Sequence, residues 1–212
     1  MPPIVNTLLL TSLVVASPLV TKPRQSTAAV EPKSEQSPAF VPAGFNPPTH
    51  VKGAGFQIVP LGPDLVKIDF DAYMSSIDHL QKMFSRSSSW PRADISQADA
   101  MRDMENEQAR FINHKSFAYA VLTPDGSREL GSLYVSPSPI GAYDSVVKMW
   151  VTKDAYEEGF DAELFQWVTT WMKTDWPFRN VAYPGRSTDW QTWDSLVAAG
   201  KPRKALPEEK NP

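Results

Sequence analysis

The sequence contains no cysteine, only three histidines and ten glycines in 212 residues. Without thiols there is no disulfide framework, no thiolate zinc site, no iron-sulfur cluster and no cysteine nucleophile. His50, His79 and His114 are far apart and show no ligand spacing such as HExxH, so no metal is expected. GxxxxGK followed by Ser or Thr is missing, which excludes a P-loop, and GxSxG is missing, which excludes a serine nucleophile elbow. Neither sign of charge dominates: 24 acidic residues against 21 basic leave a net charge of -3. That balance argues against a nucleic-acid partner bound through broad phosphate neutralisation. A long apolar run is missing too. The stretch Ile4 to Val20 is apolar but interrupted by Asn6, Thr7, Thr11, Ser12, Ser17 and Pro18, a poor membrane span.

Proline, by contrast, is abundant and unevenly placed, with eleven of its 20 copies in residues 1–63. Residues 1–20 read as a secretory h-region with small residues at Val14, Val15 and Ala16. Export is the expectation they raise, and a cytoplasmic protein with an apolar tail is the alternative. Residues 21–52 are rich in Pro, Ser, Ala and charge and read as a flexible linker. The globular domain is expected over 53–200, and 201–212 form a polar tail. The length suits one domain plus a sizeable tail.

Within the domain, Phe56–Leu61 alternates weakly as a first strand. From Leu65 to Phe84 apolar residues recur in steps of three and four, predicting one amphipathic helix. Ser96 caps a second helix to Ile112, with Met101, Met104 and Phe111 on its inner side. Three strands with short turns come next at 116–123, 130–135 and 144–152, an antiparallel meander. A helix over 159–173, a short strand over 180–183 and a helix over 189–199 complete the chain. The expected fold class is α+β, a mixed and mostly antiparallel sheet with helices on both faces.

This order, β-α-α-β-β-β-α-β-α, resembles that of the GNAT N-acetyltransferases. Phe117–Leu122, Pro124-Asp125-Gly126, Leu130-Gly131, Leu133-Tyr134-Val135, Met149-Trp150-Val151, Trp176-Pro177-Phe178 and Val181–Arg186 look like a bacterial GNAT-like family. The resemblance covers roughly 53–196 and implies an acyl-CoA-dependent transfer of an acetyl group to an amine, small-molecule or peptide. Acetyl-CoA is then the cofactor. Met149, Trp150 and Val151 would line its acyl end, and Glu158, Gly159 and Phe160 would meet its pyrophosphate at a helix N-terminus. The family has Gln or Arg, two free positions, Gly, one free position and Gly or Ala there. Here those six residues are Tyr156-Glu157-Glu158-Gly159-Phe160-Asp161, so only the middle glycine is kept.

Asp154, Glu157, Glu158, Asp161 and Glu163 crowd that helix start. A carboxylate ~5 Å from a pyrophosphate opposes it by roughly 1 kcal/mol even in water-like screening. The same acids would equally serve as ordinary helix caps. A cofactor-less GNAT-fold binding module is therefore the alternative function. As an enzyme, the candidate bases are Glu129 and Asp144, and the candidate acids Tyr183 and Tyr143. Arg186 and Arg179 could meet a phosphate or an acidic substrate, and Trp190 and Trp193 could wall a substrate groove. A sheet edge left by the missing closing strands makes homodimerisation a hypothesis.

Overall fold

The computed structural model describes residues 39–200. Six strands form one sheet in the order β1 (Val51–Gly53), β2 (Phe56–Pro60), β3 (Phe117–Leu122), β4 (Glu129–Pro137), β5 (Ser145–Val151), β6 (Val181–Ala182). All neighbours are antiparallel except β5 and β6, which run parallel. The helices are α1 (Val66–Met74), α2 (Ile77–Leu80), α3 (Gln97–Ile112), α4 (Lys153–Glu157), α5 (Phe160–Thr174) and α6 (Trp190–Ala199). This is the expected α+β architecture, with β1 and α4 added to the expected order of elements.

Every residue of β3 is buried, so the sheet is covered on both faces at its centre. On one face Tyr119, Val121, Leu133, Val147 and Met149 pack against Leu164, Val168, Trp171 and Met172 of α5. The α5 stripe recurs at helical spacing, which is why this helix lies flat on the sheet. On the other face Ala118, Ala120 and Leu122 meet Met104 of α3, and Trp150 packs on Tyr73 and Leu80 of the α1–α2 segment. The Ser96 cap forms as expected, in a reciprocal box with Asp99.

Two expectations need correction. The folded region begins before residue 53. Phe40 stacks between Phe117 and Phe178 at 5.7 and 5.0 Å, Val41 is buried, and β1 pairs with β2. Apolar anchors spaced among prolines carry no periodicity, so this packing had no signature in the sequence. The helix expected over 65–84 is also broken. Ser75 Oγ donates to the Ala72 carbonyl, and Ser76 Oγ leaves the helix to accept the Lys153 N–H at 2.9 Å. Serine hydroxyls competing with the backbone end α1, and a wider turn over Gln81–Ser85 comes after α2. Residues 1–38 and 201–212, to which the expected export segment, most of the expected linker and the expected tail fall, lie outside the described residues. Among the described residues no helix is long and apolar enough to cross a membrane.

One polar group interrupts the α1–sheet interface. Glu129 opens β4 and is 1% exposed, and Ser132 Oγ donates to its Oε1 at 2.7 Å. Asp69 of α1 lies within hydrogen-bonding reach and is itself buried. Two carboxylates cannot both be charged there, so the pair shares a proton. Burial pushes Asp69 up to about 7, with Asp103 and Glu107 of α3 adding to the rise, while the contacts with Glu129 and Ser132 oppose it. Glu129 is raised well above its ordinary value by burial and by Asp69. The folded protein therefore holds protons that the unfolded chain releases above about pH 4. Their stabilising contribution is complete below that range and is lost as pH rises through about 7. We predict that the melting temperature falls between about pH 5 and about pH 8 and that Glu129→Gln flattens the fall, because its amide donates to Asp69 without a titrating proton. Thermal denaturation across that range checks it, and parallel slopes for the two proteins would refute it.

Candidate active site

The parallel pairing of β5 and β6 is two residues long, Ser145 with Val181 and Val146 with Ala182. Its lower end is pinned by Asp144, whose Oδ2 accepts the N–H groups of Arg179 at 2.8 Å and Asn180 at 3.0 Å. Its upper end stops at a turn. Pro184 has no N–H to donate, Gly185 sits at φ 76, and Gly185 N–H bonds the Thr188 carbonyl at 2.7 Å. The chain thus leaves the sheet after Ala182 while β5 continues to Val151. Among the described residues no strand pairs with that edge of β5 beyond Val146.

A cleft of about 60 Å³ opens beside this edge. Its floor is Met149, Trp150 and Val151. Leu80, Met83 and Phe84 from α2 and the turn after it form one apolar wall, with Pro184, Gly185, Arg186 and Trp190 opposite. His79, Tyr156 and Asp161 close the end nearest α5. The ring of His79 packs against that of Tyr156 at 4.9 Å, tilted by 54°. Burial lowers the His79 pKa below the ordinary histidine value, with Asp161 and the Val151 carbonyl opposing, so the ring is neutral at pH 7.

At that end Gly159 takes the left-handed conformation, φ 85, and a Cβ there would meet nothing within 4 Å. Glycine is needed for its backbone rather than for space. No side chain caps α5, although Thr152 caps α4 and Asp189 caps α6. The idea that local carboxylates cap α5 is therefore corrected. Glu157 instead pairs with Lys153 at 3.4 Å, and Asp154, Glu158 and Glu163 are exposed. Asp161 alone of the five faces the cleft, where its carboxylate takes both terminal nitrogens of Arg186, one at 2.7 Å.

A second link crosses the cleft mouth. Arg86 pairs with Asp194 of α6 through two hydrogen bonds, 2.9 and 3.1 Å, and its guanidinium covers the Trp190 ring at 4.0 Å. Arg86 holds φ 54, a conformation that non-glycine residues adopt at a cost and that these contacts support. Trp190 in turn lies so close to Gly185 that a Cβ there would overlap its indole.

The structure brings together Met149, Trp150, Val151, Trp190 and Arg186 in the cleft and sets the other candidates apart. Glu129 is enclosed beneath α1 and does not line the cleft. Asp144 is occupied as a strand clamp. Tyr183 meets Phe165 of α5 edge-to-face at 5.5 Å, and burial pushes its hydroxyl up to about 12. Trp193 is buried against Ile140, Val146 and Ala182, and Tyr143 packs on it. Glu158 is exposed, Phe160 packs on Phe56 at 5.5 Å, and neither they nor Gly159 line the cleft. Arg179 is exposed outside the cleft. His79, Leu80 and Arg86 had no sequence motif to mark them. His79 and Leu80 lie on α2, beyond the break at Ser75–Ser76, and Arg86 meets the site through Trp190.

These residues fit the cofactor the fold implies in part. An extended pantetheine arm would meet the β5 edge and the apolar walls, and a phosphate would meet Arg186 and the α5 start, which has no side-chain cap. Asp161 stands against the phosphate. Among the described residues no group of three or more His, Asp or Glu could hold a metal ion. No protein-family model and no curated protein matches the chain. Among solved structures it is similar to a ribosomal-protein-S5-alanine acetyltransferase from Vibrio fischeri, at 12% identity and TM-score 0.47 over 59% of this chain and 67% of that one. It is also similar to an acetyltransferase from Salmonella typhimurium that modifies the N-terminal serine of a 50S ribosomal protein (12%, TM-score 0.45, 58% and 67%). A third is a ribosomal L7/L12 alpha-N-protein acetyltransferase in complex with coenzyme A (13%, TM-score 0.47, 69% and 79%).

The clamp role of Asp144 is separable from catalysis. Asp144→Ala removes a charged acceptor from two backbone N–H groups and is expected to cost about 1–3 kcal/mol of stability. Urea unfolding measures this, and lost activity at unchanged stability would return Asp144 to the catalytic candidates.

Proposed function

We propose that this protein is an acyl-CoA-dependent N-acetyltransferase of the GNAT type acting on a small-molecule or peptide amine. The observation that carries the reading is the β5 edge left unpaired beyond Val146 along an apolar cleft. An exposed strand edge recognises an extended ligand that carries amides, and pantetheine has two. Met149, Trp150 and Val151 would hold the acyl end, while the backbone at Gly159 and Phe160 with Arg186 would hold the phosphates. Bound acetyl-CoA supplies an acetyl thioester activated toward amines.

The protein's own contribution is placement and proton handling. A free N–H within Lys148–Val151 can donate to the oxyanion as it forms, a preorganised dipole in a site with little water. The incoming ammonium must lose a proton before it attacks. Of the groups lining the cleft, His79 is the one that burial keeps neutral at pH 7, so its ring is the acceptor. His79 replaces Glu129 and Asp144 in that role. The Trp190 wall and its Arg86 cover exclude solvent on the opposite side.

The Asp161–Arg186 pair favours a second reading, a GNAT-fold binding module without cofactor. Calorimetric titration of acetyl-CoA into the full chain separates the two, together with thiol-release assays over a panel of amines and peptide N-termini. Micromolar binding and thiol release are the expected outcome, and no binding at millimolar cofactor would leave the binding module standing. In the active protein the acid limb of kcat/KM is expected below the ordinary histidine value of about 6.5, and to disappear in His79→Gln with a loss of about 100-fold or more in rate. A pH–rate profile that keeps the limb in the variant would remove His79 from the role.

A further inference from the structure

The ion pair that stands against the cofactor also spans the cleft. Asp161 occupies the position where the family keeps a small residue, and Arg186 lies on the facing turn after β6. Both line the cleft, and their two hydrogen bonds tie the first turn of α5 to the turn after β6. Their side chains are 14% and 24% exposed, which sets this pair apart from the other ion pairs on α4 and α6. The guanidinium is also held from below, over the Phe165 ring at 5.8 Å. Its turn is fixed by the Gly185–Thr188 bond and by the Arg186 N–H on the Tyr183 carbonyl at 3.1 Å. The backbone that carries Arg186 is thus held independently of the carboxylate.

A phosphate offers a guanidinium the same bidentate geometry as a carboxylate, with more charge. We propose that Asp161 and Arg186 form a latch. Arg186 is the phosphate-binding side chain of this protein, and Asp161 is an internal placeholder that holds it until a cofactor phosphate takes its place. The latch explains how a carboxylate at the signature position is compatible with a functioning site. It sets a threshold on cofactor affinity, because each binding event must displace an existing ion pair. It rests on the function proposed above.

Two ligands separate the latch from that function, coenzyme A with its phosphates and pantetheine without them. Asp161→Asn keeps the shape and removes the charge. It should tighten coenzyme A by about tenfold or more at low salt and leave pantetheine unchanged. Arg186→Gln should weaken coenzyme A by about tenfold, again without effect on pantetheine. In the double variant the gain from Asp161→Asn should vanish, since it acts through Arg186. Calorimetry reads the affinities and circular dichroism confirms folding. Should one single variant fail to fold, the other still decides. Unchanged or weaker coenzyme A binding by Asp161→Asn, with pantetheine still bound, overturns the latch and leaves the proposed function intact. No binding of either ligand to any of the proteins at millimolar concentration overturns both.

Discussion

The site depends on how briefly β5 and β6 pair. Two residues of parallel ladder are enough to fix the strands together and too few to cover the rest of β5. The ladder is bounded below by the side-chain clamp of Asp144 and above by a turn that Pro184 and Gly185 impose. A longer β6 would satisfy the β5 backbone and fill the cleft. A shorter one would leave the turn unanchored and Arg186 unplaced. The same constraint places Trp193, which packs beneath the two-residue ladder and so cannot reach a substrate, while Trp190 one turn earlier can.

Two ion pairs span the cleft, and their surroundings decide which matters. Arg86 and Asp194 are 40% and 53% exposed, a setting in which a pair contributes about 0–1 kcal/mol and yields readily to solvent. Their value lies in covering Trp190. Asp161 and Arg186 sit deeper, where water screens less and a broken pair would leave charge poorly solvated. The outer link is therefore the easily opened one, and the inner link needs a replacement anion. Neighbouring carboxylates do not compete for that place, since Glu157 is paired and the others face solvent.

Much of the fold was legible because it was written in periodicity. The α5 stripe, the capping box at Ser96 and Asp99, and the meander turns each join a local pattern to a local structure. The break in the helix expected over 65–84 was not legible as a break. Ser75 and Ser76 are ordinary residues on an amphipathic surface, and it is the distant Lys153 N–H that draws Ser76 out. The packing of Phe40 and Val41 was hidden for a related reason, since single anchors in a proline-rich stretch show no period. In the site, Met149, Trp150 and Val151 of β5 line the cleft. The side chains proposed for chemistry on strand ends do not, because a sequence does not say which way a strand-end carboxylate turns. Glu129 turns inward to Asp69, and Asp144 turns to the backbone just before β6.

The cleft is framed by backbone at the β5 edge and by side chains at its end near α5, and only the latter are read directly from sequence. Gly159 preserves the one backbone angle that depends on residue type. Tyr156 departs from the expected Arg or Gln, yet its ring packs against His79 in the cleft lining and so shapes the wall. Asp161 departs further, since it brings charge, but that charge is matched by Arg186 rather than left facing the site. Of the two departures, one is a change of wall and the other a change of electrostatics with its compensation built in. The backbone frame persists beneath both, and a frame kept in register around an apolar cleft is what a binding function requires.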